Sequence, residues 1–207
     1  MIDTLLLDMG NVLLDFSHAR MCQQIAEVCG LPAERVWQEL FEAGLESAFE
    51  TGRCTEVQLH RHFEELSGRS LYLDELLQAA SNIFVPTAGM HTLLPILKQL
   101  GLRLVLLSNI NSAHYRFVRE HFPILDQLDA FVLSYEVGEM KPHPAIFAAA
   151  LRAAGTAPER CFYTDDIAPY VAAGRTHGVQ AEVFTNAAEF VRHLQSRGID
   201  LPDQALA

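Results

Sequence analysis

The chain has 207 residues, half of them hydrophobic, a formal charge of −11 at neutral pH and a pI near 5.2. That length and apolar content exclude a disordered chain and suit one compact domain with a smaller inserted one. The acidic balance, without a clustered basic face, argues against nucleic acid and anionic membranes as partners, since both demand local positive charge. A small phosphorylated metabolite stays compatible with it, provided a metal and a few cations dominate one pocket.

The first apolar run, "TLLLD" at 4–8, reads as a buried strand that ends on Asp8 and turns through Gly10 and Asn11. From about Ser17 to Phe84 no strand pattern occurs, only helical patterns broken at "CGLPAERV", "ETGRCTE" and "SGRSLYLDE". So long a stretch cannot be one crossover, which predicts a helical cap at 17–84 set into a core made of 1–16 and 85–207. Within it, Trp37, Phe41 and Leu45 recur at helical spacing and are expected in the cap core. His60 and His62 lack the i,i+4 spacing of a zinc pair.

Further apolar runs follow at 102–108, 130–134, 160–165 and 181–184, separated by amphipathic stretches at 112–121, 144–154, 169–178 and 187–197. Runs that are apolar without alternation predict parallel strands covered on both faces, hence an α/β fold with a Rossmann-like parallel sheet and crossover helices. "LPDQALA" at the end reads as a loose tail. Cys22, Cys29, Cys54 and Cys161 show neither a Cys-x-x-Cys pair nor zinc spacing, and no charged-then-apolar leader opens the chain. Reduced thiols and a cytoplasmic location are expected. The apolar runs are too short or too interrupted to cross a bilayer.

Ligands of an open parallel sheet bind beyond the carboxyl ends of its strands. Asp8, Ser108 with Asn109, and the pair Asp165 and Asp166 stand at such ends, and Lys141 follows the third run. Singly, each has an ordinary explanation as a helix cap, a turn residue or a solvated loop lysine. Together they form a kit for phosphoryl transfer. A carboxylate attacks phosphorus, a divalent cation offsets crowded carboxylates, a hydroxyl donates to phosphate oxygens, and a lysine neutralises charge.

"LLLDMGNV", "LLSN", "GEMKPHPAIF" and "FYTDD", in this order and with a helical insert after the first, resemble the four motifs of the haloacid dehalogenase superfamily. Its members are mostly magnesium-dependent phosphatases. The insert, with "FETGRCTEVQLHRHF", is similar to that family's helical cap, and the first motif is most similar to the group containing bacterial glucose-1-phosphate phosphatase. The resemblance implies Asp8 as nucleophile and metal ligand, the Gly10 carbonyl as a second ligand, and Asp166 as a third. Asp165 would bind the metal or one of its waters. Ser108, with Asn109 beside it, would bind phosphate, and Lys141 would serve both substrate and catalysis, with Mg2+ as the cofactor.

Gly10 stands where most phosphatases of the family place an acid/base aspartate. Its loss is worth roughly 3 to 5 kcal/mol of barrier, felt most by poor leaving groups. An activity that is weak or limited to activated phosphates is one expectation, and another proton carrier such as Asp15, His18 or Glu50 is a second. Asp15 and His18 equally suit the start of the first cap helix. Asn11 replaces a usual glycine, which suits a left-handed backbone. Ile167 and Tyr170 replace residues that are usually polar. A phospho-ligand- or protein-binding regulatory relative is the alternative function. A metal-independent 2-haloacid dehalogenase fits less well, because Asp165 and Asp166 would then crowd Asp8 without a cation.

Overall fold

The computed structural model describes residues 1–201; 202–207, which hold most of the expected tail, lie outside the described residues. Its main sheet has five parallel strands in the order β5-β4-β1-β6-β7: Thr4–Leu7 (β1), Arg103–Ser108 (β4), Ala130–Leu133 (β5), Cys161–Asp165 (β6) and Gln180–Val183 (β7). The alternation of β1 explains why it is apolar throughout. Leu5 and Leu7 enter a large core on one face, and Leu6 enters a second, smaller core on the other. Helices Pro144–Ala154 (α9) and Ala168–Thr176 (α10) cover the second face. Met90–Gln99 (α6), Ser112–His121 (α7) and Ala187–Gln195 (α11) cover the first. The expected α/β sheet with crossover helices is therefore present, with α7 and α9 bounded as their patterns predict.

Two short strands, Leu14–Phe16 (β2) and Phe84–Pro86 (β3), pair antiparallel with Phe16 opposite Phe84. Between them run His18–Cys29 (α1), Ala33–Trp37 (α2) with a π-helical continuation to Glu42, Leu45–Glu50 (α3), Glu56–Ser67 (α4) and Leu73–Ser81 (α5). These starts are local chemistry. Ser17 accepts from the Arg20 amide, and Thr55 and Gln58 close a reciprocal capping box.

Of the three residues expected in this core, Phe41 and Leu45 are half-buried and pack against it, and Trp37 does not. Val36 and Leu40 fill the interior, whereas Trp37 is 41% exposed and lies against Phe41 at the rim. Both pairs have i,i+4 spacing, so spacing alone does not choose between faces one residue apart.

Candidate active site

The register of the sheet builds the site. Leu7 pairs with Leu106 on one side and Thr164 on the other, so the next residues, Asp8, Leu107 and Asp165, stand at one level on its carboxyl edge. The Asp8 amide extends the ladder by donating to the Thr164 carbonyl at 3.1 Å. Lys141 arrives from the loop after the short helix Ser134–Val137 (α8) and is 2% exposed, so it is not the solvated loop lysine that its position taken singly would suggest. Its ammonium donates to Asp8 Oδ1 at 2.7 Å, Asp165 Oδ2 at 2.6 Å and the Leu107 carbonyl at 3.0 Å. All three of its protons are thereby used.

Charge follows from this packing. Burial pushes the Asp8 carboxyl up to about 7, with Lys141 pulling it down and Asp165 pushing it further up. For Lys141, burial acts downward but is outweighed by the two carboxylates, so its pKa is raised and it stays an ammonium. Asp165 is enclosed. Beyond Lys141 it accepts from the Tyr163 hydroxyl and, through Oδ1, from the Ile167 amide at 2.8 Å. Asp166 is half-buried and accepts from Asn11 Nδ2 at 2.9 Å. Asn11 has φ 53°, the left-handed conformation its type tolerates, and this bends the loop so that its side chain reaches Asp166. Ligand oxygens of Asp8, Asp165 and Asp166 all lie within 4.8 Å of one another.

Asn109 and Ser108 do different work. Asn109 Oδ1 accepts from the Lys141 amide at 2.8 Å and its Nδ2 donates to the Lys141 carbonyl at 3.2 Å, so this side chain positions the lysine loop. Ser108 is buried behind it, its hydroxyl donating to the Asn109 carbonyl at 3.3 Å. Tyr170 lies with its ring 5.4 Å from the Lys141 ammonium, which gives its position a reason the motif pattern lacks.

Asp8, Gly10, Asn109, Lys141 and Asp166 line a cavity of about 190 Å³. The wall contributed by the helical segment contains His18, Glu46 and Glu50, with Phe16, Ile83 and Phe84 between. A Cβ on Gly10 would meet Phe16 Cε1 at 2.7 Å, so the space of the missing side chain is filled by that ring. Asp15 does not line the cavity and accepts from the Thr87 hydroxyl at 2.7 Å. His18 packs between Phe16 and Phe41, and burial lowers its pKa, favouring the neutral ring.

Glu46, Asn111 and His114 also gather at this site, although no motif in the sequence marks them. Asn111 Oδ1 caps α7 on the His114 amide at 2.8 Å, while its Nδ2 donates to Glu46 Oε1 and His114 Nδ1, both at 3.1 Å. His114 Nε2 donates to the Ala80 carbonyl at 3.1 Å, and burial pushes its pKa down to about 4. Burial likewise pushes Glu46 up to about 7, against the Asn111 hydrogen bond. Two polar residues one turn apart on the apolar face of an amphipathic helix, Asn111 and His114, were the available signal. Of the other histidines, His60 bonds the Leu71 carbonyl, His62 pairs with Glu39 and His143 caps α9.

A carboxylate at the end of β1, a buried lysine and two further acids beneath a helical segment define a hydrolase of haloacid dehalogenase type. The haloacid dehalogenase-like hydrolase family matches residues 2–178, and the chain belongs to it. Among curated relatives, the chain is 24% identical to D-ribitol-5-phosphate phosphatase of Bacteroides thetaiotaomicron, over 94% of this chain and 97% of that one. It is 26% identical to Phosphatase MT3486 of Mycobacterium tuberculosis, over 95% of each. A solved HAD family enzyme of B. thetaiotaomicron, in complex with magnesium and inorganic phosphate, superposes with a TM-score of 0.79 at 24% identity, covering 90% of this chain and 96% of that chain. L-2-haloacid dehalogenase of Xanthobacter autotrophicus superposes at 0.63 with 18% identity, covering 100% of this chain and 86% of that chain. These superpositions establish the fold, as expected. No helix among the described residues is long and apolar enough to cross a membrane.

Proposed function

We propose that this chain is a magnesium-dependent phosphatase of small phosphorylated metabolites, sugar phosphates among them, acting through an aspartyl-phosphate on Asp8. The observation that carries this is the cluster of Asp8, Asp165 and Asp166 around one buried lysine. Three carboxylates against one ammonium leave excess negative charge on hard oxygen donors, which suits a magnesium ion. Asp8, Asp166 and the Gly10 carbonyl would hold it, with Asp165 kept behind them by Lys141, Tyr163 and the Ile167 amide. Bound there, the ion would neutralise phosphate oxygens. The phosphatase names of the relatives support the same chemistry.

In this scheme Asp8 attacks phosphorus and the ester oxygen leaves. Lys141 holds Asp8 in line and offsets charge as the transferred group approaches. The Ser108 hydroxyl, with a single long bond to the Asn109 carbonyl, turns to donate to a phosphate oxygen. Residues 17–84 act as the cap over this site, and their inner face sets which leaving group fits. Magnesium-dependent phosphate release from nitrophenyl phosphate, abolished by Asp8→Asn, tests the activity. A panel that includes ribitol 5-phosphate and hexose phosphates tests the substrate class. Retained phosphate binding without turnover in the wild type would instead mark a regulatory binding protein, the alternative that Gly10 favours.

A further inference from the structure

Gly10 removes the usual proton donor, and Phe16 fills the space in which its side chain would lie. Two carboxyl groups nevertheless line the cavity from the helical segment, Glu46 and Glu50, and Glu46 is held by the Asn111 side chain. Glu50, the last residue of α3, lines the same cavity as Asp8, Lys141 and Asp166. We infer that Glu50 is the catalytic acid of this enzyme, giving its proton to the leaving-group oxygen in place of the missing side chain at position 10. The inference rests on the phosphatase activity proposed for the Asp8 site.

The turn that carries Glu50 is fastened to the sheet domain. The Ser134 hydroxyl, fully buried, donates to the Glu50 carbonyl at 2.6 Å and accepts from the Ile110 amide at 2.9 Å. Ile110 belongs to the loop at the end of β4, next to Asn109 and therefore to the Lys141 loop. Two residues later, Gly52 has φ 70°, and a Cβ there would meet the Tyr135 carbonyl at 2.5 Å. Only glycine permits so close an approach. The segment "FETG" is thus an anchor for the acid that the sequence offers as one candidate proton carrier.

The groups facing Glu50 favour its protonated form. Burial, then Glu46, pushes its carboxyl up to about 8, with Lys141 pulling down and Asp8 pushing up. His18, also in the cavity wall, is held towards the neutral ring by burial. The proton then balances across both half-reactions. As the Asp8 oxygen bonds to phosphorus, the phosphorus–ester oxygen bond breaks and the departing oxygen takes the Glu50 proton. In the second step the Glu50 carboxylate takes a proton from water, whose oxygen bonds to phosphorus. The acyl-phosphate bond then breaks, freeing inorganic phosphate and restoring the Asp8 carboxylate.

The test compares wild type with Glu50→Gln in saturating magnesium on dinitrophenyl phosphate, whose leaving group needs no proton, and on an alkyl phosphate. Single-turnover rates report the first step alone. The expected result is a fall of about 10²- to 10⁴-fold for the alkyl ester and less than about tenfold for dinitrophenolate release, with partial rescue of the alkyl rate in Glu50→Asp. Equal loss on both esters, or no loss on either, overturns the inference while leaving the phosphatase activity standing. A wild-type enzyme that releases no phosphate from either ester overturns the phosphatase activity itself.

Discussion

The two walls of the cavity are built by different physics. On the sheet side, Asp8, Leu107 and Asp165 stand level because three parallel strands share a register, and Lys141 is fixed by three hydrogen bonds and by Asn109. On the helical side, Glu46, Asn111 and His114 form a chain of hydrogen bonds joining α3, α7 and the Ala80 carbonyl of α5. The sheet side concentrates paired charge; the helical side keeps its acids and its histidine buried and close to neutral. In the proposed reaction the first wall would bind and attack the phosphate, and the second would hand over a proton and enclose the leaving group.

Four substitutions set the two walls against each other. Asp8→Asn gives the largest effect: turnover falls to background while circular dichroism shows the fold retained, since the amide is nearly isosteric but cannot attack. Lys141→Ala costs about 3 to 5 kcal/mol in denaturant unfolding, because Asp8 and Asp165 lose their shared counter-charge inside the protein. Added magnesium recovers part of that loss, as any ligand of the folded state does.

Glu46→Gln acts on the opposite wall and in the opposite direction. Glu46 has a folded pKa raised to about 7 from 4.5, so it is neutral in both states at low pH. As pH rises from the unfolded towards the folded value, only the unfolded chain ionises, and stability is lost across that window. The glutamine variant removes the Glu46 share of this slope and is more stable than wild type by about 1 to 3 kcal/mol above neutral pH, read from melting curves of both proteins across pH 4.5–8. A stability difference between the two that stays the same from pH 5 to pH 8 contradicts the neutral state assigned to Glu46. The smallest effect belongs to Gly10→Ala, which forces the Phe16 ring to move and costs about 1 to 2 kcal/mol by calorimetry.

The same contrast explains what the sequence reveals. Strands that are apolar without alternation can be found as local runs in the sequence, and once they are placed in parallel their carboxyl ends lie along one edge. Asp8, Lys141, Asp165 and Asp166 were legible for that reason. Their division of labour was not, because the enclosure of Asp165 depends on a Tyr163 hydroxyl and an Ile167 amide that no spacing advertises. Glu46 and His114 lie 68 residues apart in sequence (114 − 46) and meet only through helix packing. Trp37 shows the same limit within a single helix, where the choice between two adjacent faces belongs to the neighbours and not to the pattern.

Phe16 ties the shape of the loop after β1 to the residue at position 10. With its ring in the volume above Gly10, a carboxylate cannot be placed there by one replacement; the aromatic neighbour must shrink as well, and with it the tilted contacts on His18 and Phe84. The two positions are coupled: a carboxylate at position 10 fits only with a smaller side chain at position 16 in the same variant.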